Sequence, residues 1–106
     1  MAGPGELGNL LKQAQKMQRE MDLAREEISA STYEGSAGGG VARVEVDGDG
    51  GVKAVHLSEE ALSSGDKGAV EDLILAAVRD AQTQAAELKR ERLSKVTGGM
   101  DLPGLF

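Results

Sequence analysis

A heptad repeat over residues 7–31 is the sequence feature that most constrains the fold. This spacing of apolar residues is typical of a helix that packs lengthwise against another helix. We expect the helix to begin between Glu6 and Asn9, with Asn9 as a candidate N-cap, and to end near Ser31. About 25 residues at 1.5 Å each give a length of roughly 37 Å. The seam consists of Leu7, Leu10, Ala14, Met17, Met21, Ala24 and Ile28.

The composition limits what can cover this seam. The chain has 106 residues, which predicts a single domain over residues 1–106, with flexible tails at 1–6 and 98–106. One Tyr, one Phe and no Trp leave a core of aliphatic residues, Met and Ala. A small domain with such a core gains stability from oligomerisation. We therefore expect a homodimer.

Charge and cysteine content exclude several classes of protein. The net charge of −6 predicts a soluble chain that repels nucleic acid on average, and the absence of Cys excludes a disulfide framework. The first residues lack the features of a signal peptide, and no apolar run is long enough to cross a membrane. We expect a cytoplasmic protein without a membrane partner.

The middle of the chain has the alternating pattern of strands. Residues 32–34 predict a short strand that the glycine-rich segment 35–40 interrupts, and residues 41–57 predict a hairpin. A two-residue type I′ turn at residues 49–50 sets the register of this hairpin. It pairs Val44 with Val55, Ala42 with Leu57, and Arg43 with His56.

The second half of the chain predicts two more helices. Ser58 is a candidate cap of a short helical turn, and Asp66 is a candidate cap of a long helix that runs to about Thr97. An alanine-rich stripe on this last helix allows another element to approach closely. The predicted fold class is α+β: two long antiparallel helices flank a three-stranded antiparallel β-meander, in the order α-β-β-β-α.

Few residues are suited to catalysis. His56 is the only His and has no evident nucleophile partner, so we expect a surface or interface side chain. The glycines at 38–40 are not followed by the Lys-Ser/Thr of a phosphate-binding loop. The Asp-Gly repeat at 47–50 lacks the later carboxylates of a calcium loop. We expect no enzyme activity, metal, cofactor or small-molecule substrate.

Basic residues cluster in the first half of the first helix and at the end of the last one. The second cluster suits the helix dipole, whereas the first opposes it, which points to a function. If the helices are antiparallel, we expect both clusters at one tip of an acidic molecule. Without stacking aromatics, such a tip favours duplex DNA contacted through phosphates with low sequence specificity. The candidate residues are Lys12, Lys16, Arg19, Lys89, Arg90, Arg92 and Lys95.

Four segments, in order along the chain, together resemble the YbaB/EbfC family of bacterial nucleoid-associated proteins. They are GNLLKQAQKMQ at 8–18, EGSAGGGVARVEVDG at 34–48, EDLILAAVRDA at 71–81 and GGMDLPG at 98–104. The resemblance implies a tweezer-shaped homodimer, located on the nucleoid and without enzyme activity, whose helical arms bind DNA. The seven candidate cations lie on those arms by position.

A second hypothesis belongs to a different class of protein. A prefoldin-like holdase or coiled-coil adaptor would bind protein clients through apolar side chains at the tips of its helices. Leu7, Leu10 and Leu11 fit this hypothesis, whereas the end of the last helix carries mainly charge. Binding to duplex DNA that weakens with salt would distinguish the first hypothesis from the second.

Overall fold

The structure, a computed structural model, describes residues 3–98 and has the predicted α-β-β-β-α order. The molecule is elongated and measures 73 Å by 20 Å by 16 Å. A 3₁₀ turn at Gly38–Gly40 joins the first two strands. The helices and strands are α1 (Pro4–Ala30), β1 (Thr32–Ala37), β2 (Ala42–Asp47), β3 (Val52–Leu57), α2 (Glu59–Ser63) and α3 (Lys67–Val96).

α1 begins earlier than predicted. Its N-cap is Gly3 and a proline occupies the first turn, a position that proline favours because the amide there lacks an intrahelical partner. The predicted start between Glu6 and Asn9 was therefore wrong. The predicted end is confirmed, since Ser31 is the C-cap and its amide donates to the Ile28 carbonyl at 3.1 Å.

β1 is longer than predicted because Gly35 belongs to it. Gly35 pairs with Val44 instead of interrupting the strand. A side chain at Gly35 would overlap the backbone of α3 at Ala77 and Ala81, so glycine lets the helix rest directly on the strand. The three glycines that follow β1 all have positive φ, which turns the chain tightly into β2.

The hairpin of β2 and β3 has the predicted pairs but a different turn. The pairs Val44–Val55, Ala42–Leu57 and Arg43–His56 are confirmed. The two-residue type I′ turn was wrong, because the loop consists of three residues, 48–50. Among the loop residues only Gly50 has positive φ, at 89°, whereas a type I′ turn needs two such residues.

Two local irregularities in the hairpin compensate for each other. The Asp47 amide donates to the Gly51 carbonyl at 2.8 Å, which fixes the three-residue loop and moves the pairing by one position. Val46 therefore pairs with Val52. A β-bulge then leaves Lys53 without a cross-strand partner, and the pairing returns to the predicted register below it.

The main core lies between α3 and the sheet. α3 packs across β1 and β2, and small side chains on the helix allow the close approach seen at Gly35. The start of α3 is capped as predicted, since the Asp66 carboxylate accepts from the Ala69 amide at 3.0 Å, and Ser58 caps α2 in the same way. The buried residues of this core are Ala42, Val44, Val46, Ala77, Ala81 and Ala85.

A second core joins α3 to α1. After Ala85 the last helix continues beyond the sheet and runs antiparallel beside the second half of α1. The heptad seam of α1 faces it there, which confirms that Met21 fills a core position. The buried members are Met21, Ala24, Ile28 and Leu93, with Met17 and Val96 packed against them.

Candidate nucleic-acid interface

α3 ends beside the second half of α1. Its Arg92 pairs with Glu27 of α1, and one turn later Val96 packs against the cluster that also contacts Met17. The first half of α1 therefore extends past the end of α3. The side chains of residues 5–16 are exposed except at Gly8, which is half-buried. We call residues 4–16 of α1 the arm, and the region where its second half meets α3 and the β2–β3 turn the base.

The structure divides the seven candidate cations into two groups. Lys12 and Lys16 lie on the arm, and Arg19 lies one turn further along α1. The four cations of α3 lie beside the second, acidic half of α1 instead of beside its basic start. The expected single basic tip does not form, because α1 continues beyond the end of its partner helix. The α3 group comprises Lys89, Arg90, Arg92 and Lys95.

Three of the candidate cations are engaged in ion pairs. Lys89 Nζ lies 2.9 Å from Asp49 Oδ1, Arg92 pairs with Glu27, and Lys16 Nζ lies 3.9 Å from Glu20 Oε1. An anion that binds one of these cations must compete with a carboxylate. The other four make no ion pair or side-chain hydrogen bond with residues 3–98. They are Lys12, Arg19, Arg90 and Lys95.

The cations of α1 share one face of the helix. At about 100° per residue, Lys12, Lys16 and Arg19 lie within roughly 60° of one another, on the side opposite the seam. A phosphate backbone could approach this face without displacing α3. Arg90 and Lys95 are five positions apart, or roughly 140° around α3, so they point in different directions.

Asp49 ties the hairpin turn to both long helices. Its carboxylate accepts hydrogen bonds from Ser29 Oγ of α1 at 2.6 Å and from Lys89 Nζ of α3 at 2.9 Å. These contacts, that of Ser29 first, hold the pKa of Asp49 below its ordinary value of 3.8. Nothing in the local sequence indicates this cluster, because its members are 20 and 40 positions apart from Asp49 along the chain.

Two further contacts fasten the same turn. Gln82 Nε2 of α3 donates to the Gly50 carbonyl at 3.0 Å. Gly48 lies so close to Ile28 that a side chain at this position would overlap the carbonyl group of Ile28. Lys89 is therefore one member of a structural cluster that holds the base together. Sequence reasoning identified this lysine only as a cation.

The outer face of the sheet carries polar side chains. His56 lies there as an exposed side chain, with Nε2 at 3.1 Å from Glu45 Oε2. Across residues 3–98, no three His, Cys, Asp or Glu side chains are grouped so that they could hold a metal ion. Within the same range, neither long helix has an apolar stretch of the length and hydropathy needed to cross a membrane.

Comparisons with known proteins agree with this geometry. The model of the YbaB/EbfC DNA-binding family matches residues 3–100. A nucleoid-associated protein of Acetivibrio thermocellus is 44% identical over 103 residues, which cover 96% of this chain and 91% of that protein. One of Clostridium perfringens is 43% identical over 104 residues, covering 98% and 93%. One of Alkaliphilus metalliredigens is 39% identical over 106 residues, covering 100% and 93%.

The fold itself has a counterpart among solved structures. The crystal structure of an uncharacterised protein from Helicobacter pylori matches with a TM-score of 0.68 and 23% identity, and the match covers 93% of this chain and all of that one. This similarity supports the helix–sheet–helix arrangement. The family match over nearly the whole chain and the three relatives lead to one conclusion: this chain belongs to the YbaB/EbfC DNA-binding family.

Proposed function

We propose that this chain is a nucleoid-associated protein that binds duplex DNA as a homodimer, with low sequence specificity. The observation that carries the proposal is the set of four cations without an acidic partner on α1 and the end of α3. Family membership supports DNA as the ligand, and the relatives described above carry the name of nucleoid-associated proteins. We place the protein in the bacterial cytoplasm, on the nucleoid, and propose no enzyme activity for it.

Unpaired cations suit DNA binding by an acidic protein. The net charge of −6 repels DNA over most of the surface, so binding is confined to places where positive charge is not neutralised. Lys12 and Arg19 are about 10 Å apart along α1, which corresponds to about three nucleotide steps of one DNA strand. Phosphate contacts of this kind position a protein on the duplex but do not read its sequence.

An uncovered apolar face supports the homodimer. α3 packs across β1 and β2, so the side of β3 that carries Val55 lies next to this core without a helix over it. Val52 and Val55 are 50% and 45% exposed, and Leu62 of the following helix is 61% exposed. We propose that a second copy of the chain covers this face, which would add the apolar burial that a small aromatic-poor domain needs.

Replacing Val55 by Glu tests the dimer. A buried charge at the interface should prevent association, while the exposed position within one protomer leaves the fold intact. Sedimentation velocity at micromolar concentration should give a dimer for the parent chain and a monomer for Val55→Glu. A parent chain that sediments as a monomer, or a variant that remains a dimer, would contradict the proposed interface.

Salt-dependent DNA binding tests the proposed contacts. Replacing Lys12 and Arg19 by Gln should flatten the slope of log affinity against log salt by up to about 3.6 in a dimer, at about 0.9 per lost phosphate contact. The matched control removes the same charge at Lys53 and Lys67, which contact Thr32 and Glu71. Mobility shifts of duplex DNA at several salt concentrations measure the slope for the variant and for the control. Equal losses in both variants would show that net charge acts without a defined contact face.

The holdase hypothesis has one observation in its favour. Leu7, Leu10 and Leu11 are 59%, 58% and 60% exposed, so apolar side chains are present on the arm as a client-binding tip requires. The end of α3 instead presents Arg90 and Lys95. DNA binding is the better supported function, because it accounts for the unpaired cations and agrees with the family. Suppression of the aggregation of an unfolded client by the parent chain, in the absence of DNA binding, would reverse this choice.

A further inference from the structure

The arm of α1 carries an apolar stripe without a partner in the described chain. The heptad seam that is buried in the second core at Met21 and Ile28 continues without interruption toward the start of α1. On the arm the seam is exposed, and its leucines keep close to 60% of their surface in contact with solvent. We call these residues the bare seam: Leu7, Leu10, Leu11 and Ala14.

The basic side chains of the arm lie away from the bare seam. At about 100° per residue, Lys12 lies roughly 160° around the helix from Leu10, and Lys16 lies roughly 120° from it. Gln13, which borders the seam near its centre, is uncharged, and Glu6 at its outer end is the one acidic residue of the arm. Two copies of an acidic chain can therefore bring these seams together without placing like charges opposite each other at the centre.

The spacing of large and small side chains on the seam is self-complementary in one register. When two antiparallel arms cross at residue 12, Leu10 of each chain faces Ala14 of the second copy, and Leu7 faces Met17. A large side chain then meets a small one beside the centre, as knobs-into-holes packing requires. Met17 already packs against the second core, so this contact continues the interface between α1 and α3.

We infer that the bare seam is a contact surface for a second copy of the chain, and that two arms pack antiparallel along it. The inference goes beyond DNA binding and does not depend on it. The seam ends about 24 Å along α1 from Ala30, next to the sheet, so the contact is separate from the proposed dimer face at β3. The opposite face of α1, with Lys12 and Arg19, stays accessible, so phosphates and a second arm can bind at the same time.

Disulfide crosslinking tests the register, because the chain has no Cys of its own. In a mixture of Leu10→Cys and Ala14→Cys chains, the mixed disulfide should form at least about tenfold faster than either disulfide between identical chains. The two positions are level in the proposed register, whereas two copies of position 10 are about 6 Å apart along the helices. The control replaces Ala14→Cys by Lys12→Cys, on the opposite face. Intact mass distinguishes the mixed product from the other two.

Three outcomes of the crosslinking would overturn the inference. Equal rates for mixed and identical chains would mean that the arms collide without a fixed register. Faster disulfides between identical chains would mean that the arms pack in parallel. A mixed disulfide that forms no faster than in the control would assign the bare seam to another occupant, such as a protein client or a segment of the same chain.

Sedimentation equilibrium gives a second measurement. The Val55→Glu chain isolates the arm contact, because its β3 face should no longer associate. Its weight-average mass should rise by up to about twofold as the concentration increases above the micromolar range, since an overlap of about three helical turns associates weakly. Adding Leu10→Glu should abolish this rise.

The matched control for Leu10→Glu is Asn9→Glu. It adds the same charge at an exposed position that lies roughly 160° around the helix from Leu7, so the rise in mass should persist. A mass that stays constant at all concentrations, or a rise that both substitutions leave equal, would overturn the inference. Neither measurement contains DNA, so a failure of the proposed DNA binding would leave the result unchanged.

Discussion

The two halves of α1 share one heptad seam but differ in what surrounds it. In the base, Met21 and Ile28 are 3% exposed, because α3 and the hairpin turn close around them. On the arm, Leu7 occupies the same heptad position as Met21 and Ile28, and both Leu7 and Leu10 of the seam are more than half exposed. The repeat is the same in both halves, so the difference comes from where α3 ends. A heptad pattern therefore predicts that a helix has a partner, but it does not say along how much of its length.

The basic side chains of the two regions also differ in whether they have an acidic partner. Lys89 and Arg92 in the base face carboxylates from the hairpin turn and from α1. Lys12 on the arm has no acidic side chain of the described chain in contact. Basic residues that look alike in sequence thus have different roles: some hold the base together, and others remain available to an anion. The predictions below test this division, from the largest expected effect to the smallest.

Glycine substitutions should give the largest contrast between the two regions. Gly35→Val should destabilise the fold by about 3 kcal/mol or more, because the new side chain would overlap the α3 backbone. On the arm, a Cβ atom at Gly8 would have no neighbour within 4 Å. Gly8→Ala should therefore raise the free energy of unfolding by up to about 1 kcal/mol, because alanine has the higher helix propensity. Thermal and urea unfolding measure both. A well tolerated Val at position 35 would mean that α3 does not rest on β1.

Removing the cations of the base should affect stability more than DNA binding. Replacing Lys89 and Arg92 by Gln should cost about 0.2–1 kcal/mol for each exposed ion pair. The slope of log affinity against log salt should change little, because these side chains are already occupied by Asp49 and Glu27. Urea unfolding and mobility shifts of the same protein test the two statements. If the salt slope of this variant fell as much as that of the Lys12→Gln and Arg19→Gln variant, Lys89 and Arg92 would contact DNA as well. The distinction between the cations of the base and those of the arm would then be wrong.

Low pH should weaken the contacts that Asp49 makes between the hairpin turn and the two long helices. This is the smallest effect that we expect. The folded-state pKa of Asp49 is lowered, first by the Ser29 hydrogen bond and then by Lys89. Its contribution to stability is therefore present above the ordinary pKa of 3.8 and is lost as pH falls below that value toward the lowered pKa. Because Asp49 is about half exposed, we expect Asp49→Asn to lower Tm by only a few degrees at pH 6.

The pH dependence of the same variant is the control. The difference in Tm between the parent chain and Asp49→Asn should stay constant above pH 3.8 and shrink as the pH falls from 3.8 through the lowered pKa of Asp49, because protonation then removes the carboxylate charge. An unchanged difference over this range would show that the carboxylate charge does not hold the hairpin turn. Ser29→Ala should reproduce part of the loss, because it removes the shortest contact of Asp49.

The hairpin shows which structural features local sequence patterns can predict. The pairing of Val44 with Val55 was predictable from alternating hydrophobicity, because a slip by one residue would turn every apolar side chain of the strand to the other face. The turn type was not predictable. Gly48 lies against the end of α1, and Asp49 bonds to α3, so contacts across the fold favour a three-residue loop with a bulge at Lys53.

The sequence by itself determined the elements whose signals are local. The heptad of α1, the caps at Ser58 and Asp66 and the end at Ser31 depend on residues within a few positions of each other, and the structure has them. The tertiary structure alone decided which half of the α1 seam is covered and which cations are neutralised. Those outcomes depend on side chains that lie tens of residues apart in the chain, such as Glu27 and Arg92. Periodicity describes which face of a helix is apolar or basic, but the partner of that face is fixed only when the chain folds.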